Sequence, residues 1–75
     1  MSDPPAVRLP GHHAKAGSIL QWRRSPRGQW WALVEYTVIV PGYRGGIERE
    51  QSLFRAREVE PIKGEDYSRV PRTKA

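Results

Sequence analysis

Apolar residues crowd the middle of the chain and thin out toward both ends. Residues 18–24 (SILQWRR) alternate, with Leu20 and Trp22 on one side and Ile19, Gln21 and Arg23 on the other. That is the period-two pattern of a half-buried strand. Ser25, Pro26, Arg27 and Gly28 follow; proline presets φ and glycine accepts positive φ, so this stretch reads as a turn. Residues 29–40 run through Trp30, Trp31, Leu33, Val34, Tyr36, Val38, Ile39 and Val40, an aromatic and β-branched content that predicts a long second strand. The segment 41–46 (PGYRGG) stops it, because a proline and three glycines do not continue a central ladder.

Residues 47–54 (IEREQSLF) predict a third strand. Glu, Arg, Gln and Leu also favour helix, but the hairpin-like spacing and the short apolar pair Leu53 and Phe54 decide for strand. Residues 55–58 predict a single helical turn, and 59–62 a last short strand. The expected domain is therefore 18–62. Residues 1–17, with three prolines and two glycines, read as a flexible N-terminal arm, and 63–75 as a flexible basic C-terminal tail. Both ends are expected to be irregular.

The first hairpin has two registers, and a one-residue slip exchanges its faces. With a four-residue loop Trp22 opposes Trp31 and Leu20 opposes Leu33. With one more residue in the loop, Trp22 opposes Ala32, Leu20 opposes Val34, and Arg23 opposes Trp31. The second register sets the small Ala32 beside the large Trp22, which suits a tightly curved sheet. It predicts a core of Leu20, Trp22, Trp30, Ala32, Val34 and Tyr36, with Trp31 and Leu33 outside.

At 75 residues the chain makes one domain at most, and so short a chain buries only about 60% of its unfolded surface. There is no cysteine, which excludes a disulfide framework and a thiolate metal site. The opening MSDPPAVRLPGHH lacks the charged-then-apolar pattern of a signal peptide. No apolar run approaches the roughly 20 residues of a membrane helix. The expectation is a cytoplasmic protein that does not engage membranes. The formal charge is +5, unevenly spread: residues 1–28 carry five basic groups against one acidic, 29–62 four against five, and 63–75 four against two. A near-neutral body with a cationic hairpin and cationic ends attracts polyanions.

Two stretches resemble a known layout. Residues 52–62 (SLFRAREVEPI) resemble the closing segment of SH3 domains, a strand, a one-turn helix and a final strand, and residues 28–34 (GQWWALV) resemble the strand with paired tryptophans before it. The order is also similar to Tudor and KOW barrels and to short barrel proteins of high-GC bacteria. The resemblance covers about residues 17–62 and implies an all-β fold, a small SH3-like barrel of four to five antiparallel strands with a one-turn helix before the last. It does not bring the family's peptide site with it. Aligned on Ala32, the groove tryptophan of SH3 domains falls at Gln29, its proline at Arg55 and its tyrosine at Glu58. Proline-rich peptides need an aromatic-lined groove, and none is expected here.

Catalysis finds no support. The eight carboxylates are scattered, with Glu48, Glu50, Glu58 and Glu60 expected to pair with Arg49, Arg55 and Arg57 at the surface. His12 and His13 are adjacent on the arm, without a third ligand for a metal. No glycine-rich phosphate loop is present, since PGYRGG lacks the lysine and following helix. No enzyme activity, cofactor, metal or small-molecule substrate is expected. One constellation stands out: Arg23, Arg24 and Arg27 with Trp31, joined by Tyr43 and Arg44 at the tip of the next loop. Guanidinium groups bind phosphates, and an exposed indole or phenol stacks on a base. The expected function is a non-catalytic module binding nucleic acid with little sequence preference, since backbone contacts carry no base information. The alternative is a protein-interaction or accessory subunit, or a homodimer, using the sheet edge at 47–54 or an apolar outer patch of Trp31, Leu33 and Ile39. A host-targeting inhibitor fits the size but has no residue-level support.

Overall fold

The computed structural model describes residues 4–39, 41–42 and 46–74. Among them one sheet of six strands forms: β1 (Ala6–Arg8), β2 (Ala16–Arg24), β3 (Trp30–Ile39), β4 (Ile47–Arg55), β5 (Glu60–Pro61) and β6 (Arg72–Lys74). The strand order is β4-β3-β2-β1-β5, antiparallel throughout, with β6 pairing parallel to the far end of β2. A 3₁₀ turn, Ala56–Glu58, precedes β5. No helix is long and apolar enough to cross a membrane among the described residues. The all-β expectation is met, as is strand rather than helix at 47–54 and a single turn after it. That turn is held by the Glu58 carboxylate, which accepts the Arg55 N–H at 2.9 Å.

The first hairpin closes in the register with the longer loop. Trp22 pairs with Ala32, Arg23 with Trp31, and Arg24 with Trp30. The Ser25 N–H donates to the Gln29 carbonyl at 2.8 Å, and the Gln29 N–H to Ser25 Oγ at 3.1 Å. Gly28 has φ 83°, which explains glycine there. Farther from the turn the expectation fails. The register shifts between Ile19 and Gln21, so that Ile19 rather than Leu20 meets Val34. Leu20 is the extra residue of a β-bulge, and a bulge swaps the faces of everything beyond it. Ile19 is therefore in the core and Leu20 only half-buried.

The tryptophans also need correction. Ala32, Val34 and Tyr36 are buried as expected, but Trp30 is 37% exposed. It lies on the inner face at the open end of β3, where its neighbour Arg24 is itself exposed. Trp31 and Leu33 do face outward, yet both are half-buried, because β4 sets Arg55 and Leu53 beside them.

The largest departure is at the ends. Residues 6–8 and 72–74 are strands, and β2 begins at Ala16, inside the presumed arm. Val7, Leu9 and Val70 are buried in the same cluster as Ile19, Val34 and Phe54. Leu9 turns the chain back, its N–H donating to the Lys15 carbonyl at 2.8 Å and its carbonyl accepting the His12 N–H at 3.0 Å. His12 then packs edge-on against Tyr36 and Phe54, with ring centroids 4.7 and 5.1 Å away. In the tail the Asp66 carboxylate accepts both the N–H and the hydroxyl of Ser68, at 2.9 and 2.6 Å. Those bonds hold its carboxyl below the usual carboxylate range. Tyr67 joins the two ends. Its hydroxyl donates to the Ala6 carbonyl at 2.6 Å and accepts the Ile62 N–H at 2.7 Å.

Two substitutions test this packing. A Cβ on Gly17 would lie 2.6 Å from Val34 Cγ1 and 2.7 Å from the Glu35 carbonyl, so Gly17→Ala should cost about 1–3 kcal/mol through overpacking. Tyr67→Phe should cost a similar amount, about 1–3 kcal/mol, by leaving a part-buried carbonyl and amide without partners. Urea denaturation measures both, and wild-type midpoints would contradict the packing described.

Candidate functional site

The cations and indoles of the hairpin divide between the two faces of the sheet, because alternate residues of a strand point opposite ways. On the outer face the register sets Thr73, Arg23, Trp31 and Arg55 in one row across four strands. The Arg55 guanidinium lies over the Trp31 ring, 5.4 Å from its centroid. Trp31 is thus covered by a cation from β4, whereas the sequence offers Arg23 as its neighbour. A base approaching Trp31 has first to displace Arg55.

On the inner face the next rows contain Arg72, Trp22, Ala32 and Phe54, then Arg24 and Trp30. Here the sheet splays open into a groove of about 540 Å³. Its floor is apolar, formed by Val7, Ile19 and Val59, all buried. Trp22, Trp30, Pro61 and Tyr67 make the walls. Arg72 is the charged residue lining it, and the Arg24 guanidinium stands over Trp30 at 5.8 Å. Among the described residues no carboxylate lines the groove. An aromatic-lined groove therefore exists, contrary to the sequence expectation. It is assembled from Trp22, Trp30, Pro61 and Tyr67 rather than from positions 29, 55 and 58. Tyr67 and Arg72 come from the tail and Val7 from the arm, both placed outside the domain by composition, and that is why the sequence concealed it.

Of the residues singled out in sequence, Arg23, Arg24 and Arg27 are exposed around the hairpin end and Trp31 is half-buried beside them. Tyr43 and Arg44 lie outside the described residues. Trp30, expected in the core, and Arg72, expected only as part of the cationic tail, join Arg24 on the groove side. Arg55 joins Arg23 on the other. The opposite end of the β3–β4 hairpin is acidic, with Glu35, Glu48 and Glu50. Among the described residues the ion pair present is Arg49–Glu35 at 3.8 Å, so the pairing expected for Glu48, Glu50, Glu58 and Glu60 is not formed there. No three of His, Asp and Glu gather as a metal-binding group among the described residues. The outer patch is broken as well, since Glu35 and Thr37 separate Leu33 from Ile39 along β3.

Comparison with protein families, with curated proteins and with solved structures finds no match to this chain.

The stacking of Arg55 on Trp31 has a measurable consequence. A double-mutant cycle on stability with Arg55→Ala and Trp31→Ala should return a favourable coupling of about 0.5–1 kcal/mol, the range for an exposed cation–π pair. Strict additivity would show that the two side chains are neighbours without interacting.

Proposed function

We propose that this chain is a non-catalytic nucleic-acid-binding module that engages the phosphate backbone through the hairpin end of its sheet. One observation carries the reading: Arg23, Arg24, Arg27, Arg55 and Arg72 converge on the end of the sheet where Trp22, Trp30 and Trp31 lie, while the carboxylates of β3 and β4 sit toward the other end. Guanidinium groups match phosphate oxygens in geometry and charge, and a one-ended charge distribution orients a polyanion before contact. Phosphate contacts position a nucleic acid without reading bases, so binding is weakly sequence-selective. The strand order and the single turn before β5 are consistent with the SH3-like resemblance, whose proline-binding residues this chain replaces.

A second reading, a protein-interaction subunit, draws on one feature. Strand β4 stands at the edge of the sheet with Ile47 and Leu53 exposed, and an unpaired edge is a template for another strand.

Salt dependence separates the two. With three hairpin arginines on phosphates, the logarithm of duplex affinity against the logarithm of salt should fall with a slope of about −3. Replacing Arg23, Arg24 and Arg27 together by glutamine should flatten that slope and leave the fold intact, since all three are exposed. Fluorescence anisotropy of a labelled oligonucleotide reads both. A triple variant with wild-type affinity and slope would reduce the hairpin to a solvated charged loop.

A further inference from the structure

The groove on the inner face does something that phosphate attraction alone does not require. Its walls include two indoles and a phenol, and the side chains of its floor, Val7, Ile19 and Val59, are apolar and buried. The groove volume, about 540 Å³, falls within the roughly 300–1,000 Å³ of small-ligand sites. The charge at its rim comes from Arg72 and Arg24, and among the described residues no lining carboxylate offsets it. A ligand that fits has a flat aromatic face joined to an anionic group. Cationic ligands such as a methylated lysine are opposed by the arginines.

We propose that this groove seats an unstacked base of a single-stranded nucleic acid, with Trp30 as the stacking platform and Arg24 and Arg72 on the adjoining phosphates. The inference rests on the nucleic-acid reading above and narrows it to single strands. In a duplex each base face is covered by its neighbours, so an aromatic groove gains nothing from one. Single strands offer every base face, and stacking on side chains is the usual means of holding them. Tyr67 contributes its ring alone, because its hydroxyl is spent between Ala6 and Ile62. Trp30 is the wall with the most to gain, being the exposed indole of the groove at 37%. Trp31, on the opposite face, lines no part of the groove; the Arg24 guanidinium, 5.8 Å over the Trp30 ring, moves onto the phosphate as the base enters.

The test compares three probes of similar length: a thymidine oligonucleotide of about a dozen residues, a duplex, and inorganic polyphosphate. The single strand should bind tighter than the other two and quench tryptophan fluorescence. Trp30→Ala should weaken single-strand affinity roughly 5- to 150-fold with the salt slope unchanged, because stacking is not ionic. Trp30→Phe should recover most of the loss, and Trp31→Ala should behave as wild type. If Trp30→Ala does not fold, the wild-type quenching by oligonucleotide but not by polyphosphate carries the decision. Equal binding of all three probes, with neither quenching nor dependence on Trp30, would overturn the groove and leave nucleic-acid binding standing. Absence of binding to every nucleic acid, with quenching by a proline-rich peptide instead, would overturn both.

Discussion

The phenol hydroxyl of Tyr67 sits between a carbonyl of the first strand and an amide just past the fifth, and the architecture of this small sheet hangs on that junction. A chain of 75 residues with no cysteine has few large apolar side chains to bury, and a three-strand meander cannot cover its own inner face. Strand β1 supplies Val7 and leads into Leu9, while the tail supplies Val70. Together they close over Ile19 and Val34. Three-residue strands are too short to hold by ladder hydrogen bonds alone. The Tyr67 bridge, 2.6 Å to Ala6 and 2.7 Å to Ile62, ties both ends of the chain to one another and to the core.

The same closure makes the groove. Without the tail there is no Tyr67 wall and no Arg72, and without β1 no Val7 floor. The candidate site is thus not a decoration of one hairpin but a product of the ends folding back onto it. The bulge at Leu20 contributes too, because it turns Ile19 to the face that Trp22, Trp30, Arg24 and Arg72 share through the register nearer the turn. Alternation along β3 then divides the tryptophan pair. Trp30 is left open on the groove side, and Trp31 is sheltered by Arg55 on the other.

The central meander was legible because dense β-branched and aromatic residues, bracketed by Pro and Gly, admit few other structures. The near-turn register was legible from the pairing of Ala32 with Trp22. Leu20 and Ile19 were not distinguishable, since a bulge leaves no mark in an alternation pattern that already contains adjacent apolar residues. The ends were misread for a physical reason. Prolines at 4, 5 and 10 and glycine at 11 look like disorder, yet Pro4 and Pro5 lead directly into β1 and Pro10 and Gly11 sit in the tight return between Leu9 and Lys15, and isolated Val7, Leu9, Tyr67 and Val70 are too sparse to show periodicity. Exposure of Trp30 was illegible for a related reason: it depends on where β2 and β6 end, which no pattern within β3 records.

The most direct measurement uses the three indole N–H resonances, one per tryptophan, in an NMR titration of the intact chain with a short single-stranded oligonucleotide. The account predicts that the indoles of Trp22 and Trp30 shift together with the Arg24 and Arg72 side chains, while that of Trp31 stays in place. Movement of Trp31 with Trp22 and Trp30 unmoved, or silence at all three, would contradict it.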